Sequence, residues 1–431
     1  MPEKRVDRSV IKVPPSDSPE IEVDIAGLGH RGDGIGHAAG QTVFVPYAAP
    51  GDRLLVRLEG ERDGGRLGHI AKRSIDGPGR VPPPCVHFGD CGGCALQHLQ
   101  ASAYLAWKQD LVGEALARRR IETDVAPMIV VPTGSRRRAV FVAERQGREI
   151  RLGFNAARSR RIVDLATCHL LLPELVRLLP ALREALSQVL GPKESADIAA
   201  TVTDSGTDLW LKSGRSLPLA GRQALIDLAE RSDLARVSVG PDADPVIIRR
   251  PPRVIFGGIP VALPPDAFLQ PNAAGELVLT KIVTEALAGR KRIADLYAGC
   301  GTFTLALAAE RKVHAVEADA PALAALAAAA RGLAGRVTVE RRDLAREPLG
   351  VDELKTFDAV IFDPPRAGAK EQAAEIARSR LDCAIGVSCH PTSFARDARI
   401  LIDGGFRLVR VVPVDQFPWS AHLELVGVFA R

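Results

Sequence analysis

From about Leu277 the chain repeats one pattern, a near-continuous apolar stretch followed by an alanine-rich helical one. The run reads "RIADLY", "FTLALAAE", "KVHAVEAD", "PALAALAAAARGL", "RVTVERRDL", "DAVIFDPP", "CAIGVSC", "ARILIDGG", "RLVRVVPVD" and "LELVGVFAR". Strands that are apolar throughout are buried on both faces, so this alternation predicts an α/β unit: a parallel sheet covered by helices. Ligands of such sheets bind beyond the carboxyl ends of the strands. The residues that end each strand are therefore the ones to examine for chemistry.

The first strand runs into Gly299-Cys300-Gly301 and then a helix. Glycine lets backbone approach a ligand closely, and the turn opens a helix. The spacing is not G-x-G-x-x-G, so a Rossmann-like fold for S-adenosylmethionine (SAM) fits better than a dinucleotide fold. Glu317 ends the next strand in "HAVEAD", where an acid serves ribose hydroxyls. Asp363-Pro364-Pro365-Arg366 ends the fourth, and two prolines cannot continue a sheet. Cys389 ends the fifth, turned outward by His390-Pro391, whereas Cys383 reads as a small buried hydrophobe. His422 and Glu424 in "DQFPWSAHLE" precede the last strand.

One edge thus gathers a cofactor turn, an aspartate, a thiol and a glutamate. Methylation of a pyrimidine at C5 needs such a set. That carbon is a poor nucleophile until a thiolate adds to C6, and a base must then remove the C5 proton so that the thiolate can leave. Cys389 is the candidate nucleophile and Glu424 the candidate base. D-P-P also occurs in enzymes that methylate amino groups of bases, a reading that leaves Cys389 and Glu424 unexplained.

At 431 residues the chain exceeds one ordinary core. Before the α/β unit, residues 1–19 read as a tail, and "IEVDI", "QTVFVPY" and "RLLVRL" as strands of a small β-barrel over 20–76. Barrels of this size commonly bind single-stranded nucleic acid, and composition suits a purely structural accessory domain nearly as well. The loop "GLGHRGDGIGHAAG" lies between strands and is no nucleotide loop. Pro82-Pro83-Pro84 opens a mixed α+β region over 77–264, and 265–431 carries the α/β unit. No apolar stretch approaches the roughly 20 residues that span a bilayer, and the N-terminus lacks an apolar signal core, so the expected location is the cytoplasm. The arginine clusters Arg118–Arg120, Arg136–Arg138 and Arg158 with Arg160-Arg161, in a chain of net charge +5, suit a polyanion as well as a solvated face.

An odd count of seven cysteines argues against a disulfide framework. Cys85, Cys91 and Cys94 form a C-x5-C-x2-C group. On spacing alone a zinc site completed by His98 or His87 competes evenly with an iron-sulfur cluster completed by a distant cysteine.

Taken in order, "AFLQPN", "DLYAGCGTFTLALA", "VEAD", "FDPPRAG", "VSCHPTSFARD" and "DQFPWSAHLE" resemble the motif series of the RNA uracil-5 methyltransferases, over roughly Pro265 to Arg431. The resemblance places the nucleophile at Cys389 and the base at Glu424. It places the SAM contacts at Gln270, Tyr297, Thr302, Glu317, Asp343 and Asp363. The cysteine group with Cys168 resembles the ribosomal branch, in which four cysteines hold a [4Fe-4S] cluster, and the barrel resembles that branch's RNA-binding TRAM domain. Bacterial tRNA uracil methyltransferases generally lack both. The resemblance implies 23S rRNA as substrate, with tRNA as the same-class alternative, a monomer, and no DNA or membrane partner. Departures are His390 and Thr302, each where the family usually has asparagine, and Leu423 for valine. An RNA-binding, redox-responsive protein without turnover is the different-class alternative.

Overall fold

The computed structural model describes residues 20–214 and 217–431; the tail read at 1–19 lies outside them. Five strands, Glu20–Leu28, Gly34–Ala38, Gln41–Val45, Arg53–Arg62 and Gly65–Ile75, close into a barrel in the order first, second, third, fifth, fourth. Alternation fixes its register: Val23 and Ile25 point inward, while Glu22 and Asp24 stay at the surface. Gly36 pairs with Ile25 at a close approach, since a Cβ there would lie 2.3 Å from Val23 Cγ1. That position admits only glycine.

A second sheet of seven strands spans Arg138–Gln146 to Asp244–Ile248, with helices Pro173–Val189 and Leu219–Arg231 over its core of Phe141, Leu152, Leu179 and Leu228. Its strands pair antiparallel except Gly206–Lys212 with Leu234–Val239. This is the mixed α+β character expected of the central region.

The third sheet has eight strands. Val337–Arg341, Lys312–Glu317, Arg292–Leu296, Ala359–Phe362 and Cys383–Ser388 lie side by side and parallel. The order reverses outward from Arg292–Leu296, which places the Rossmann-like crevice at its carboxyl end. Glu424–Ala430 then pairs antiparallel with both Cys383–Ser388 and Arg407–Asp415. An antiparallel strand begins where its parallel neighbour ends, so Glu424 starts at the edge where Cys389 follows Ser388.

Helix Ala101–Ala117 and strand Ile129–Val130, far earlier in the chain, join this third unit. Val112 and Leu116 pack in the same core as Phe394 and Leu401, and Ile129–Val130 is the sheet's eighth strand. The helix also carries Lys108, which has no exposed surface. Its Nζ donates to Asp415 Oδ1 at 2.5 Å, to the Phe417 carbonyl at 3.1 Å and to the His422 carbonyl at 2.7 Å. Tyr104 donates to the other Asp415 oxygen at 2.6 Å and accepts from the Trp419 amide at 2.9 Å. Among the described residues no helix is long and apolar enough to cross a membrane.

Removing one partner of a buried pair strands the other charge, at a cost of about 3–5 kcal/mol. Lys108→Met is accordingly expected to lower unfolding free energy in urea by that order, and adding Asp415→Asn to restore part of it. A Lys108→Met protein as stable as the parent would contradict this reading of the pair.

Candidate active site

The turn after Arg292–Leu296 takes left-handed backbone at Tyr297 (φ 63°), Gly299 (φ 55°) and Gly301 (φ 97°). A Cβ on Gly301 would lie 2.5 Å from Leu326 Cδ1, whereas one on Gly299 would meet nothing within 4 Å. The turn is thus packed on one side and open on the other. Beneath it Asp295 is fully buried, its Oδ2 accepting from Thr304 Oγ1 at 2.5 Å and its Oδ1 without a partner. Burial pushes its pKa up to about 7. Asp363, partly exposed, is likewise pushed up to about 7 by burial and by Asp295.

Glu317 spans the turn: one oxygen accepts from the Gly299 amide at 2.9 Å, the other from the Asp319 amide at 2.8 Å. Each carboxylate oxygen has a second lone pair, so the ribose role read for Glu317 is compatible with its backbone role. Tyr297 is raised by burial first and then by Asp397, Glu371, Asp343 and Glu317, so Asp343 and Glu317 share its surroundings. Asp343 is exposed and accepts from Ala345 N at 3.2 Å; Thr302 opens the helix Thr302–Leu307. An open glycine turn rimmed by Glu317 and Asp363, over a buried acid with an orphan oxygen, fits a polar cationic nucleoside such as SAM.

Cys389 is half-buried. Its thiol is pushed up to about 11 by burial, then by Glu424 and Asp363, with Arg366 opposing. The next residue, His390, caps the helix Pro391–Asp403, with Nδ1 accepting from Ser393 N at 3.4 Å and Pro391 in the first turn. Burial holds His390 below the usual histidine range, aided by Arg366 and by His30 from the barrel loop. The barrel therefore borders the catalytic edge.

Glu424 is buried and raised well above the ordinary carboxylate range by burial and then by Asp363. Its Oε2 accepts from Gln416 Nε2 at 2.8 Å, and the same nitrogen donates to Gln270 Oε1 at 2.8 Å. Asn272 caps the helix Ala273–Ala286 through Gly275 N and donates to the Gln416 carbonyl at 3.1 Å. Arg137 holds the Gln270 carbonyl at 3.1 Å and pairs with Glu276. His422, held down to about 4 by burial, is neutral at pH 7.

Cys85, Cys91, Cys94 and Cys168 are all unpaired and half-buried. They act on one another: Cys94 is pushed up to about 12 by burial, with Cys168, Cys91 and Cys85 adding to it. Backbone N–H groups already face sulfur, Gly93 N donating to Cys91 Sγ at 3.4 Å. Yet among the described residues no group of three or more His, Cys, Asp or Glu side chains is drawn to a common point that would hold a metal ion. Of the two histidines weighed as zinc ligands, His98 has Nε2 3.2 Å from the Ala48 carbonyl and Nδ1 buried without a partner, and His87 Nε2 accepts from Ala166 N at 3.1 Å.

The family model described as tRNA (Uracil-5-)-methyltransferase matches residues 259–431, and that of the TRAM domain matches 19–61. An uncharacterized RNA methyltransferase of Brucella suis is 40% identical over 95% of this chain and 98% of its own length. A 23S rRNA (uracil(1939)-C(5))-methyltransferase of Pectobacterium atrosepticum is 32% identical over 95% and 93%. The chain belongs to the RNA uracil-5 methyltransferase family. The crystal structure of the Pyrococcus abyssi tRNA (uracil-54, C5)-methyltransferase with S-adenosyl-L-homocysteine aligns over 95% of this chain and 99% of that one, at TM-score 0.74 and 25% identity.

For this family member the structure brings Cys389, Glu424, Asp363 and Gln270 to one end of the sheet and sets Tyr297, Thr302, Glu317 and Asp343 around the adjoining turn. It adds Gln416, Asp295, Arg366 and Lys108, none of which was singled out in sequence. Gln416 stood inside "DQFPW", but its value lies in contacts that a linear motif does not display. The arginines prove less free than their clustering implied: Arg137 pairs with Glu276, Arg138 with Asp266, Arg158 with Asp33 and Arg161 with Asp90.

Proposed function

We propose that the protein methylates C5 of a uridine in 23S rRNA. The observation that carries this reading is the meeting of Cys389 and Glu424 beside the open glycine turn. In the reaction the Cys389 thiolate adds to C6 of the uracil and makes C5 nucleophilic. SAM, when bound, supplies the methyl group that C5 takes. Glu424 then accepts the C5 proton, the C5–C6 double bond re-forms and the C6–S bond breaks, returning the thiolate. Burial and Asp363 raise Glu424, so in its ionised form it is a stronger proton acceptor than an ordinary carboxylate. Gln270, Tyr297, Thr302, Glu317, Asp343 and Asp363 would hold SAM.

The ribosomal substrate is supported by the 32% identity to the Pectobacterium rRNA enzyme along nearly the whole chain, against 25% for the archaeal tRNA enzyme. The barrel over 20–76 would bind RNA, the region over 77–264 would present it, and 265–431 would carry out the reaction on a base extruded from its stack, in the cytoplasm and as a monomer. Nucleoside mass spectrometry after incubation with SAM and either 23S rRNA fragments or tRNA transcripts tests this. 5-Methyluridine is expected in the 23S fragments and absent with Cys389→Ala. A methylated amino group in its place would overturn the C5 reading, and 5-methyluridine confined to tRNA would overturn the ribosomal one.

We also propose that Cys85, Cys91, Cys94 and Cys168 hold a [4Fe-4S] cluster. Support comes from their mutual proximity and the N–H donation to sulfur. The cluster would order the central region for RNA rather than serve the reaction, which needs no electron transfer. Anaerobically purified protein is expected to carry about four iron atoms per chain, and Cys85→Ser to lose them together with RNA affinity and thermal stability. Iron-free protein with undiminished affinity and stability would contradict the proposal.

A further inference from the structure

Gln416 is 1% exposed, and both hydrogens of its side-chain amide are spent on the site. Nε2 lies 2.8 Å from Gln270 Oε1 and 2.8 Å from Glu424 Oε2, and an amide NH2 has two hydrogens to give. The Gln416 backbone is held as well, its carbonyl accepting from Asn272 Nδ2 at 3.1 Å. The Gln270 backbone is held in turn by Arg137, which donates to its carbonyl at 3.1 Å.

The other end of the same side chain shows what this arrangement costs. Gln416 Oε1 is buried without any partner. An unsatisfied buried acceptor typically costs about 1–3 kcal/mol, so rotating the amide would be favoured unless the two acceptors required its N–H end. Packing leaves little freedom, since a Cβ on Gly275 would lie 2.5 Å from that oxygen and 2.6 Å from Asn272 Oδ1.

We propose that Gln416 is a positioning residue for proton removal: it aims the Glu424 carboxylate and keeps it ionised as a base. The inference rests on the uridine C5 methylation proposed above. The ionisable groups that face Glu424 are Asp363 and the Cys389 thiol, and both disfavour a negative charge there, as does burial. The Gln416 N–H opposes all three, because a donor to the charged form of an acid stabilises that form. Without it, more of Glu424 stays protonated at neutral pH, and the methylated adduct on Cys389 waits longer to be resolved.

The test is Gln416→Met, of similar length and without a donor, assayed with unmodified 23S rRNA fragments and SAM. Hydrogen bonds to charged groups contribute roughly 1.5–3 kcal/mol, so kcat is expected to fall about ten- to a hundredfold. The acid limb of the kcat profile should move to higher pH, since the base would then ionise later. A covalent protein–RNA band should accumulate on denaturing gels with ordinary uridine, in the absence of any trapping analogue. Gly275→Ala, which crowds Gln416 without removing a polar group, should give the same three changes in weaker form. If both variants lose activity with an unmoved pH profile and no covalent band, Gln416 only supports the fold and the proposal is overturned. If the wild-type protein forms no Cys389-dependent adduct with 5-fluorouridine RNA, it is the parent reading that fails instead.

Discussion

A lysine with no exposed surface ties helix Ala101–Ala117 to the segment that leads into Glu424. Lys108 satisfies its ammonium with one carboxylate oxygen and two carbonyls, all from the segment Asp415–His422 that leads into Glu424. Burial pulls Lys108 down to about 8 against the pull of Asp415, so at neutral pH the ammonium is retained and the segment is clamped. The same segment is tied to the cysteine region, because the Trp419 carbonyl accepts from Ala95 N at 2.9 Å and Leu96 N at 3.2 Å. The residue before Ala95 is Cys94. A short covalent and hydrogen-bonded path thus joins Cys94 to the segment that leads into Glu424.

The electrostatics of the sheet edge are those of a site designed around a cationic guest. Asp295, Asp363, Glu424 and Cys389 crowd together, and each is shifted toward its neutral form by burial, and all but Glu424 and Cys389 to about 7. Arg366 is the cation that offsets part of this at Cys389. Buried acids in such density are costly unless a positive charge joins them, and the sulfonium of SAM is positive. A cationic cofactor is therefore compatible with this edge.

What the linear chain displayed was whatever repeats or ends a repeat. The alternation of apolar strands with helices showed the sheet, and the ends of its strands showed Cys389, Asp363 and Glu317, because the carboxyl edge of a parallel sheet is where chemistry can sit; Glu424 was read from its place just before the last strand. Hidden from that reading was everything made by distant partners. Lys108 looks like an ordinary helix lysine until Asp415, 307 positions later, takes its charge. Gln416 acquires its role through Gln270, 146 positions earlier. Ile129–Val130 is too short to show any period, and its place in the sheet comes from Arg407–Asp415. The arginine clusters looked like an open basic face because their acidic partners lie elsewhere in sequence, Glu276 for Arg137 and Asp33 for Arg158.

The claim at the centre of this account is that Cys389 attacks C6 of a uridine. It is tested most directly by incubating the protein with SAM and 23S rRNA fragments transcribed with 5-fluorouridine, then running a denaturing gel. Fluorine at C5 leaves no proton for Glu424 to remove, so the thiol adduct cannot resolve. The account predicts a slower-migrating protein–RNA band that disappears with Cys389→Ala. Methylation of ordinary RNA with no such band from the fluorinated RNA would show that Cys389 is not the nucleophile.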